Sequence, residues 1–269
     1  MNRFLPKDKA AELLRTLEAS AVRTEYDPDK HRLALLDEGG NEQVYFRLPL
    51  PLPYTGIALE KHMNYVILLI QSGSCALGYF ENGRCLDHKV FRSYMVRKKQ
   101  GKSQIKYLKT KGKSRAGSRV RLGETLEFFE NINGRLQEYF EEHEVQRIAI
   151  SCSKTLIPYL FNSKVRTPFT KDDPRLYKIP KHIHTPIYDV LLDTNRFLQC
   201  GELISLTDTG FAAVPVLQDF LDQLSSTAAA EEDLNDAYTL DDEVYITDDW
   251  EDDFTGHDPD DEEDTIEDW

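Results

Sequence analysis

Cysteine is scarce in this sequence, and its arrangement excludes two kinds of stabilised domain. Four cysteines occur among 269 residues, at positions 75, 85, 152 and 200, and none forms a CxxC pair. Disulfide frameworks and structural zinc sites need paired or regularly spaced cysteines. The sequence therefore predicts a chain long enough to be held by its own hydrophobic core, in a reducing cytoplasm, with no metal and no other cofactor.

Long apolar runs are also missing. The most apolar stretch, 65–70, has six residues, whereas a membrane-spanning helix needs about 20. The first residues include Arg3, Lys7 and Lys9 and form no apolar signal core. We therefore expect a cytoplasmic monomer that does not associate with a membrane.

Basic residues are absent from the end of the chain. Residues 231–269 contain no Lys or Arg and hold 20 of the 47 acidic residues. The rest carries 33 basic against 27 acidic side chains, a net charge of +6, although the whole chain has −14. This composition predicts a basic body suited to nucleic acid and a disordered acidic tail over 226–269. Three roles stay open for the tail: solubility, binding of a basic protein partner, and shielding of the body's basic surface.

Acidic residues are absent from a second stretch, 96–121, which we call the basic segment. Three glycines and three serines leave it without an apolar face to bury, so it is predicted to be a mobile loop that contacts phosphate. A charged insertion that binds polyanions without selectivity explains the composition equally well. Its eleven basic residues are Arg97, Lys98, Lys99, Lys102, Lys106, Lys109, Lys111, Lys113, Arg115, Arg119 and Arg121.

Hydrophobic periodicity predicts an α/β fold with a mixed sheet flanked by helices. Helices are predicted at 6–20, 122–143, 155–161, 186–199 and 211–224. Strands are predicted at 32–36, 43–48, 65–70, 76–80, 85–94 and 147–151, with a weaker candidate at 178–180. Prolines at 49, 51 and 53 separate a small N-terminal α+β segment, 1–55, from the main domain, 56–225.

Two tripeptides in the basic segment end like a nucleotide-binding P-loop. They are Gly101-Lys102-Ser103 and Gly112-Lys113-Ser114. A P-loop also needs a glycine five residues earlier, and those positions hold Val96 and Tyr107. Nucleotide binding is therefore not predicted.

Other catalytic and metal-binding patterns are incomplete. His182 and His184 have no Cys or acidic partner at ligand spacing. Cys152 ends a predicted buried strand and lacks the glycine-flanked turn that presents a nucleophile. Asp189 and Asp193 lie four residues apart and fit a solvated helix face better than a Mg²⁺ site. No metal site or nucleophile is predicted.

The spacing inside the basic segment resembles that of a known family. Lys98, Gly101 and Gln104 give K-x-x-G-x-x-Q, and residues 116–121 give A-G-S-x-x-R. Both are similar to the Vms-type release-factor-like domain of peptidyl-tRNA hydrolases in ribosome-associated quality control. That domain is related to the catalytic domain of eukaryotic and archaeal class I release factors, whose loop carries Gly-Gly-Gln where this chain has Gly-Lys-Ser-Gln.

The resemblance implies a fold and a function. It implies an RNase H-like sheet over 64–199, in a stand-alone minimal version, with the basic segment projecting from one end. The catalytic residues would be Gly101, Ser103 and Gln104, and the eleven basic residues would bind peptidyl-tRNA and the rRNA of the large ribosomal subunit. Two alternatives stay open: an endonuclease that removes the CCA end of tRNA, and a ribosome- or tRNA-binding factor without enzymatic activity.

Overall fold

The structure is a computed structural model that describes residues 2–37, 39–52, 54, 63–93, 116–208 and 210–228. The chain divides into two compact units, Met1–Ser226 and Thr227–Trp269. All described strands lie in the first unit, where they form two five-stranded sheets.

The described residues contain five helices and ten strands. The helices are α1 (Lys7–Ala19), α2 (Ala116–Glu142), α3 (Ile157–Phe161), α4 (Tyr188–Gln199) and α5 (Pro215–Ala228). The strands are β1 (Asn2–Leu5), β2 (Thr24–Asp27), β3 (Arg32–Leu36), β4 (Glu42–Arg47), β5 (Asn64–Gln71), β6 (Ser74–Glu81), β7 (Arg84–Arg92), β8 (Arg147–Cys152), β9 (Leu176–Lys178) and β10 (Gly201–Ser205).

The mixed sheet has the strand order β7-β6-β5-β8-β9. Strands β5, β6 and β7 form an antiparallel meander, whereas β8 pairs in parallel with both β5 and β9. Residues 65–70 of β5 are fully buried, because α2 covers one face of the sheet and α4 the other. A strand buried on both faces has a continuous apolar sequence, which is the pattern that identified β5.

The antiparallel sheet has the order β1-β10-β4-β3-β2. Helices α1 and α5 pack on one of its faces through side chains that include Leu13, Leu17, Leu217 and Phe220. The amphipathic period of α1 matches this one-sided burial, since its core-facing residues recur every three or four positions. Helices α1 and α5 thus cover one face of the sheet, and its other face is only partly buried.

A buried ion pair connects β4 and β10, which are neighbours in the antiparallel sheet. Arg47 Nε on β4 lies 3.0 Å from Glu202 Oε2 on β10, and Asn2 Nδ2 donates to Glu202 Oε1 at 3.1 Å. The Arg47 guanidinium also lies 4.3 Å from the ring centroid of Phe197, which belongs to α4. The pair therefore sits where α4 meets the antiparallel sheet.

His31 is a second buried polar group beside this contact. Tyr26 Oη donates to its Nδ1 at 2.7 Å, and its Nε2 donates to the Pro49 carbonyl at 3.1 Å. Burial, with a smaller effect from the Arg147 charge, lowers the pKa of His31 to about 4. The ring is therefore neutral at physiological pH, with its proton on Nε2.

The predicted α/β fold with a mixed sheet is confirmed, and each predicted helix and strand has a counterpart in the structure. Three strands were missed: β1, β2 and β10. The first two are only four residues long, with two apolar residues in β1 and one aromatic residue in β2, and a single residue separates β10 from the last residue of α4. An RNase H-like architecture and the predicted domain boundaries stay predictions. The acidic tail beyond residue 228 lies outside the described residues, and no helix among those described is long and apolar enough to cross a membrane.

Candidate nucleic-acid interface

The structure describes the two ends of the basic segment. Strand β7 and the residue after it lead into the segment, and α2 begins before its last residues. Three predicted catalytic residues, Gly101, Ser103 and Gln104, lie outside the described residues. So do nine of the predicted RNA-binding residues: Arg97, Lys98, Lys99, Lys102, Lys106, Lys109, Lys111, Lys113 and Arg115. Arg119 and Arg121 lie in the first two turns of α2.

The incoming end is fixed by two hydrogen bonds of Ser93. Its backbone N–H donates to the Gly73 carbonyl at 2.9 Å, in the turn between β5 and β6. Its hydroxyl donates to the Glu124 carbonyl of α2 at 3.3 Å. Strand β7 therefore ends against both the neighbouring turn and the helix that follows the basic segment.

The outgoing end is the N-terminal part of α2. Eight helical residues, 116–123, precede the contact at Glu124, which corresponds to about 12 Å of helix at 1.5 Å per residue. Arg119 and Arg121 belong to this part. It lacks acidic residues, so the sequence places only basic charge between Ser93 and Gly123.

Both ends belong to one edge of the mixed sheet. Ile70 at the end of β5 is paired with Cys75 at the start of β6 and with Cys152 at the end of β8. Arg92 at the end of β7 is paired with Ser74. We call this the carboxyl edge, because the parallel strands β5 and β8 end there.

Helix α2 is attached to the edge strand β7 by a polar cluster. Arg135 pairs with Asp87 on β7 and with Glu138 one turn further along α2. Its guanidinium also lies 4.7 Å from the ring centroid of Tyr139. The hydrogen bond that Arg135 donates to Glu138 and the charge of Asp87 raise the pKa of Arg135, so the side chain stays charged. This cluster and Ser93 hold the strand before the basic segment against the helix after it.

Exposed basic and aromatic side chains continue along β7. Lys89 and Arg92 are exposed, and the His88 ring stacks on Tyr188 at a centroid distance of 3.9 Å. Isolated charges on an edge strand are ordinary, so the local sequence does not mark Lys89 and Arg92 as part of a site. Because Lys89 and Arg92 lie on β7 just before the basic segment, positive charge continues from the segment onto the strand that leads into it.

The other candidates remain without a catalytic arrangement. Burial raises the pKa of the Cys152 thiol to about 12, which leaves almost no thiolate at neutral pH. The rings of His182 and His184 touch edge to face at 4.3 Å. Asp193 pairs with Arg196 in the same helix. Within the described part of the chain, no three His, Cys, Asp or Glu side chains cluster as metal ligands do.

An open cleft lies at the opposite edge of the mixed sheet. Its volume is about 560 Å³, and it is lined by Met63, Phe140, His143, Glu144, Val145, Gln146 and Arg175. The charge of Arg175 is neutralised by a two-pronged contact with Asp173, at 3.0 and 2.8 Å. The cleft lies beside the first residues of β5 and β8, so a full sheet length separates it from the ends of the basic segment.

Comparison with known proteins gives a family match and likenesses to solved structures. The family model described as bVLRF1, Bacteroidetes VLRF1 release factor, matches residues 65–205. No curated protein matches the sequence significantly. A solved structure titled "Vms1 mitochondrial localization core" is similar over 77% of this chain and 87% of its own, with 13% sequence identity and a TM-score of 0.33.

Proposed function

The chain belongs to the bVLRF1 family of Bacteroidetes VLRF1 release factors, and we propose that it hydrolyses peptidyl-tRNA on stalled large ribosomal subunits. Membership makes it a release-factor-like protein of translation. The proposed reaction adds water to the ester between the nascent chain and the tRNA. The bond between the carbonyl carbon and the tRNA oxygen breaks, so the peptide leaves with a carboxyl group and the terminal hydroxyl of the tRNA is restored.

One observation supports this function above the others. A segment with eleven basic and no acidic residues starts and ends at a single edge of the mixed sheet, inside the part matched by a release-factor family. Ser93 and Arg135 tie its flanking elements together. Such a frame suits a cationic segment that enters a site built of RNA, where phosphate is the dominant contact.

The roles within the segment follow from side-chain chemistry. The Gln104 amide has no useful pKa, so it acts by orienting the attacking water rather than by accepting its proton. Gly101 lets the backbone approach the terminal adenosine closely. Ser103, the third residue of the predicted catalytic set, lies between Gly101 and Gln104 in the sequence. A backbone N–H of the segment would stabilise the developing oxyanion, an interaction typically worth about 3–4 kcal/mol.

The proposed partners are the large ribosomal subunit and peptidyl-tRNA, which the basic residues would bind through phosphate. The protein would act in the cytoplasm as a monomer. Five aromatic residues interrupt the acidic end: Tyr238, Tyr245, Trp250, Phe254 and Trp269. This pattern suits a segment that binds a basic protein partner, because its charges attract the partner and its rings supply apolar contacts.

Release of nascent chains from purified large subunits tests the function. Gln104→Ala should slow release by about 10²–10³-fold, the loss typical for a group that organises the reacting atoms. Gln100→Ala is the matched control, since it removes the same amide four residues earlier in the same basic segment. Co-sedimentation with large subunits should be unchanged in both variants.

The 3′ end of the released tRNA separates the alternatives. Ester hydrolysis leaves the CCA end whole, whereas an endonuclease removes it, so sequencing this end distinguishes the two reactions. A non-enzymatic factor would bind large subunits without release. Release by Gln104→Ala at the rate of Gln100→Ala would rule out the proposed role of Gln104.

A further inference from the structure

A second stretch without acidic residues lies outside the basic segment. Residues 145–171 contain no Asp or Glu and carry Arg147, Lys154, Lys164, Arg166 and Lys171. We call residues 154–171, which lie between β8 and β9, the basic crossover. Its charge is notable because acidic residues outnumber basic ones in the chain as a whole, 47 to 33.

The basic crossover begins at the same sheet edge as the basic segment. Strand β8 ends at Cys152, which is paired with Ile70 at the carboxyl edge. From there the crossover follows α2: the Tyr159 ring stacks on Phe129, and the Phe169 ring stacks on Phe140, each at 5.9 Å. These two helix contacts are eleven residues apart, so the crossover lies along about 16 Å of α2.

Side-chain amides of α2 fix the backbone of the crossover. The buried Asn133 donates through Nδ2 to the carbonyls of Leu160 and Val165, both at 2.8 Å. Gln137 Nε2 donates to the Arg166 carbonyl at 2.7 Å. The crossover is therefore an ordered surface, and its charges are presented without the cost of ordering a loop.

Two of its cations are available to a ligand. Lys154 and Arg166 are exposed and form no ion pair within the described residues. Lys164, in contrast, lies 3.6 Å from Glu130 of α2, which offsets its charge. Tyr159 is 40% exposed although its ring stacks on Phe129. Lys171 is exposed as well, but its ammonium lies 5.5 Å from the ring centroid of Phe161. Lys154 and Arg166 are therefore the two cations of the crossover with neither an ion pair nor an aromatic partner among the described residues, and Tyr159 adds an exposed ring.

We propose that the basic crossover binds RNA as a second contact surface beside the basic segment. Lys154 and Arg166 contact phosphates, and the exposed part of Tyr159 stacks on a base. Charge selects RNA as the ligand, since an acid-free surface with free cations complements a phosphate backbone. This inference deepens the proposed function by extending its RNA interface, but it rests only on RNA binding and not on hydrolysis.

Salt-dependent RNA binding tests the two cations. The test variant is Lys154→Glu with Arg166→Glu, and the probes are purified large ribosomal subunits and deacylated tRNA. Its affinity should fall about tenfold or more at low salt, and the slope of log affinity against log salt should decrease by about 1–2, because two phosphate contacts are lost. Arg15→Glu with Arg84→Glu is the matched control: it makes the same charge change at exposed positions away from the carboxyl edge.

The aromatic contact has its own pair of variants. Tyr159→Leu keeps apolar packing against Phe129 but removes the ring, so RNA affinity should fall about fivefold, a typical loss for one stacked base. Tyr159→Phe keeps the ring and should bind as the wild type does. Thermal unfolding identifies any variant that has lost its fold. If the charge-reversal variant does not fold, it is replaced by Lys154→Ala with Arg166→Ala, which is a milder change of the same two exposed side chains.

The outcomes separate this inference from the proposed function. Equal RNA affinity of the Lys154/Arg166 pair and the Arg15/Arg84 control would overturn it, whatever Gln104→Ala does to release. Reduced binding by the crossover pair together with normal release by Gln104→Ala would support it and reject the hydrolytic role. Unchanged RNA affinity with lost binding to a peptide of residues 231–269 would assign the surface to the acidic end of the chain and also overturn the inference.

Discussion

The two sheets differ in how many of their faces are covered. The mixed sheet lies between α2 and α4, and its central strand β5 is fully buried over 65–70. The antiparallel sheet has α1 and α5 on one face, while its other face meets α4 at Arg47 and carries partly exposed polar residues such as Arg32, Tyr45 and Glu25. The basic segment connects two elements of the mixed sheet's layer, β7 and α2. It is therefore attached to the sheet that has the larger hydrophobic core.

The two sheets also differ in how much of each lies within the residues matched by the family model. Strands β6 to β9, helices α2 to α4 and all of β5 except Asn64 lie inside residues 65–205, whereas the antiparallel sheet has only β10 in that range. Strand β10 lies between β1 and β4. The matched part therefore ends in a strand, β10, whose two neighbours come from the first fifty residues. The antiparallel sheet is thus built from the matched part and from the first fifty residues together.

The largest stability effect is expected from breaking the link between β4 and β10. Glu202→Ala leaves the buried Arg47 charge without its carboxylate, and the free energy of unfolding should fall by about 3–5 kcal/mol. Urea denaturation measures this loss. Glu25→Ala, on the exposed position of β2, is the control and should change stability by less than about 0.5 kcal/mol. A loss below about 1 kcal/mol for Glu202→Ala would mean that β10 is not held by this pair.

The next effect concerns the enclosed strand of the mixed sheet. Leu68→Ala removes a fully buried side chain from β5 and should cost about 3 kcal/mol, since both faces are covered and the cavity cannot collapse easily. Leu86→Ala is the matched control on the edge strand β7, where the side chain is 55% exposed. Equal losses for the two leucines would contradict the difference in burial between the strands.

The buried His31 should make the stability of the protein depend on pH. Its pKa is about 4 in the folded protein and 6.5 in the unfolded chain, so the unfolded state binds more protons between these values. Stability is then complete above pH 6.5 and declines as pH falls toward 4, by about 2 kcal/mol at pH 5. Urea denaturation across this range should show the decline in the wild type and a smaller one in His31→Gln. Identical pH profiles would show that His31 does not carry the effect.

The smallest effects come from two glycines that should respond with opposite sign. A Cβ at Gly78 would lie 2.8 Å from Phe80 Cε2 and 2.9 Å from Leu191 Cδ2, so Gly78→Ala should destabilise by about 1–2 kcal/mol through overpacking. A Cβ at Gly134 in α2 meets nothing within 4 Å. Gly134→Ala should therefore stabilise by about 0.5–1 kcal/mol through helix propensity. Thermal unfolding of both variants checks the sign.

Sequence periodicity identified the elements whose burial is regular. The apolar run of β5 and the three- and four-residue spacing in α2 both reflect faces that meet a core. Strand β5 and the end of α2 were predicted close to their observed positions, whereas α2 begins at Ala116, six residues before its predicted start. Strand β10 was missed because residues 201–205 follow α4 without a turn-forming pair. Its identity as a strand depends on partners about 155 and 200 residues away, and such distant pairing leaves no local pattern.

The candidate site can be compared in the same way. The sequence predicts the basic segment with Gly101 and Gln104 as its site, because a run of one charge and a fixed spacing are local features, and the roles of these two residues stay predictions. It did not single out the basic crossover, whose cations are spread over 18 residues between apolar positions. Only its attachment to α2 by Asn133 and Gln137 turns those residues into a surface.

The sequence alone determined the charge of the basic segment, the family likeness of its spacing, and the enclosed strand that supports it, since each is a property of neighbouring residues. The tertiary structure alone decided that both ends of the segment meet one sheet edge, that β10 joins the first fifty residues, and that a second cationic surface begins at that edge. The physical reason is that strand pairing and helix packing bring together groups far apart in sequence, and their contacts depend on the whole fold.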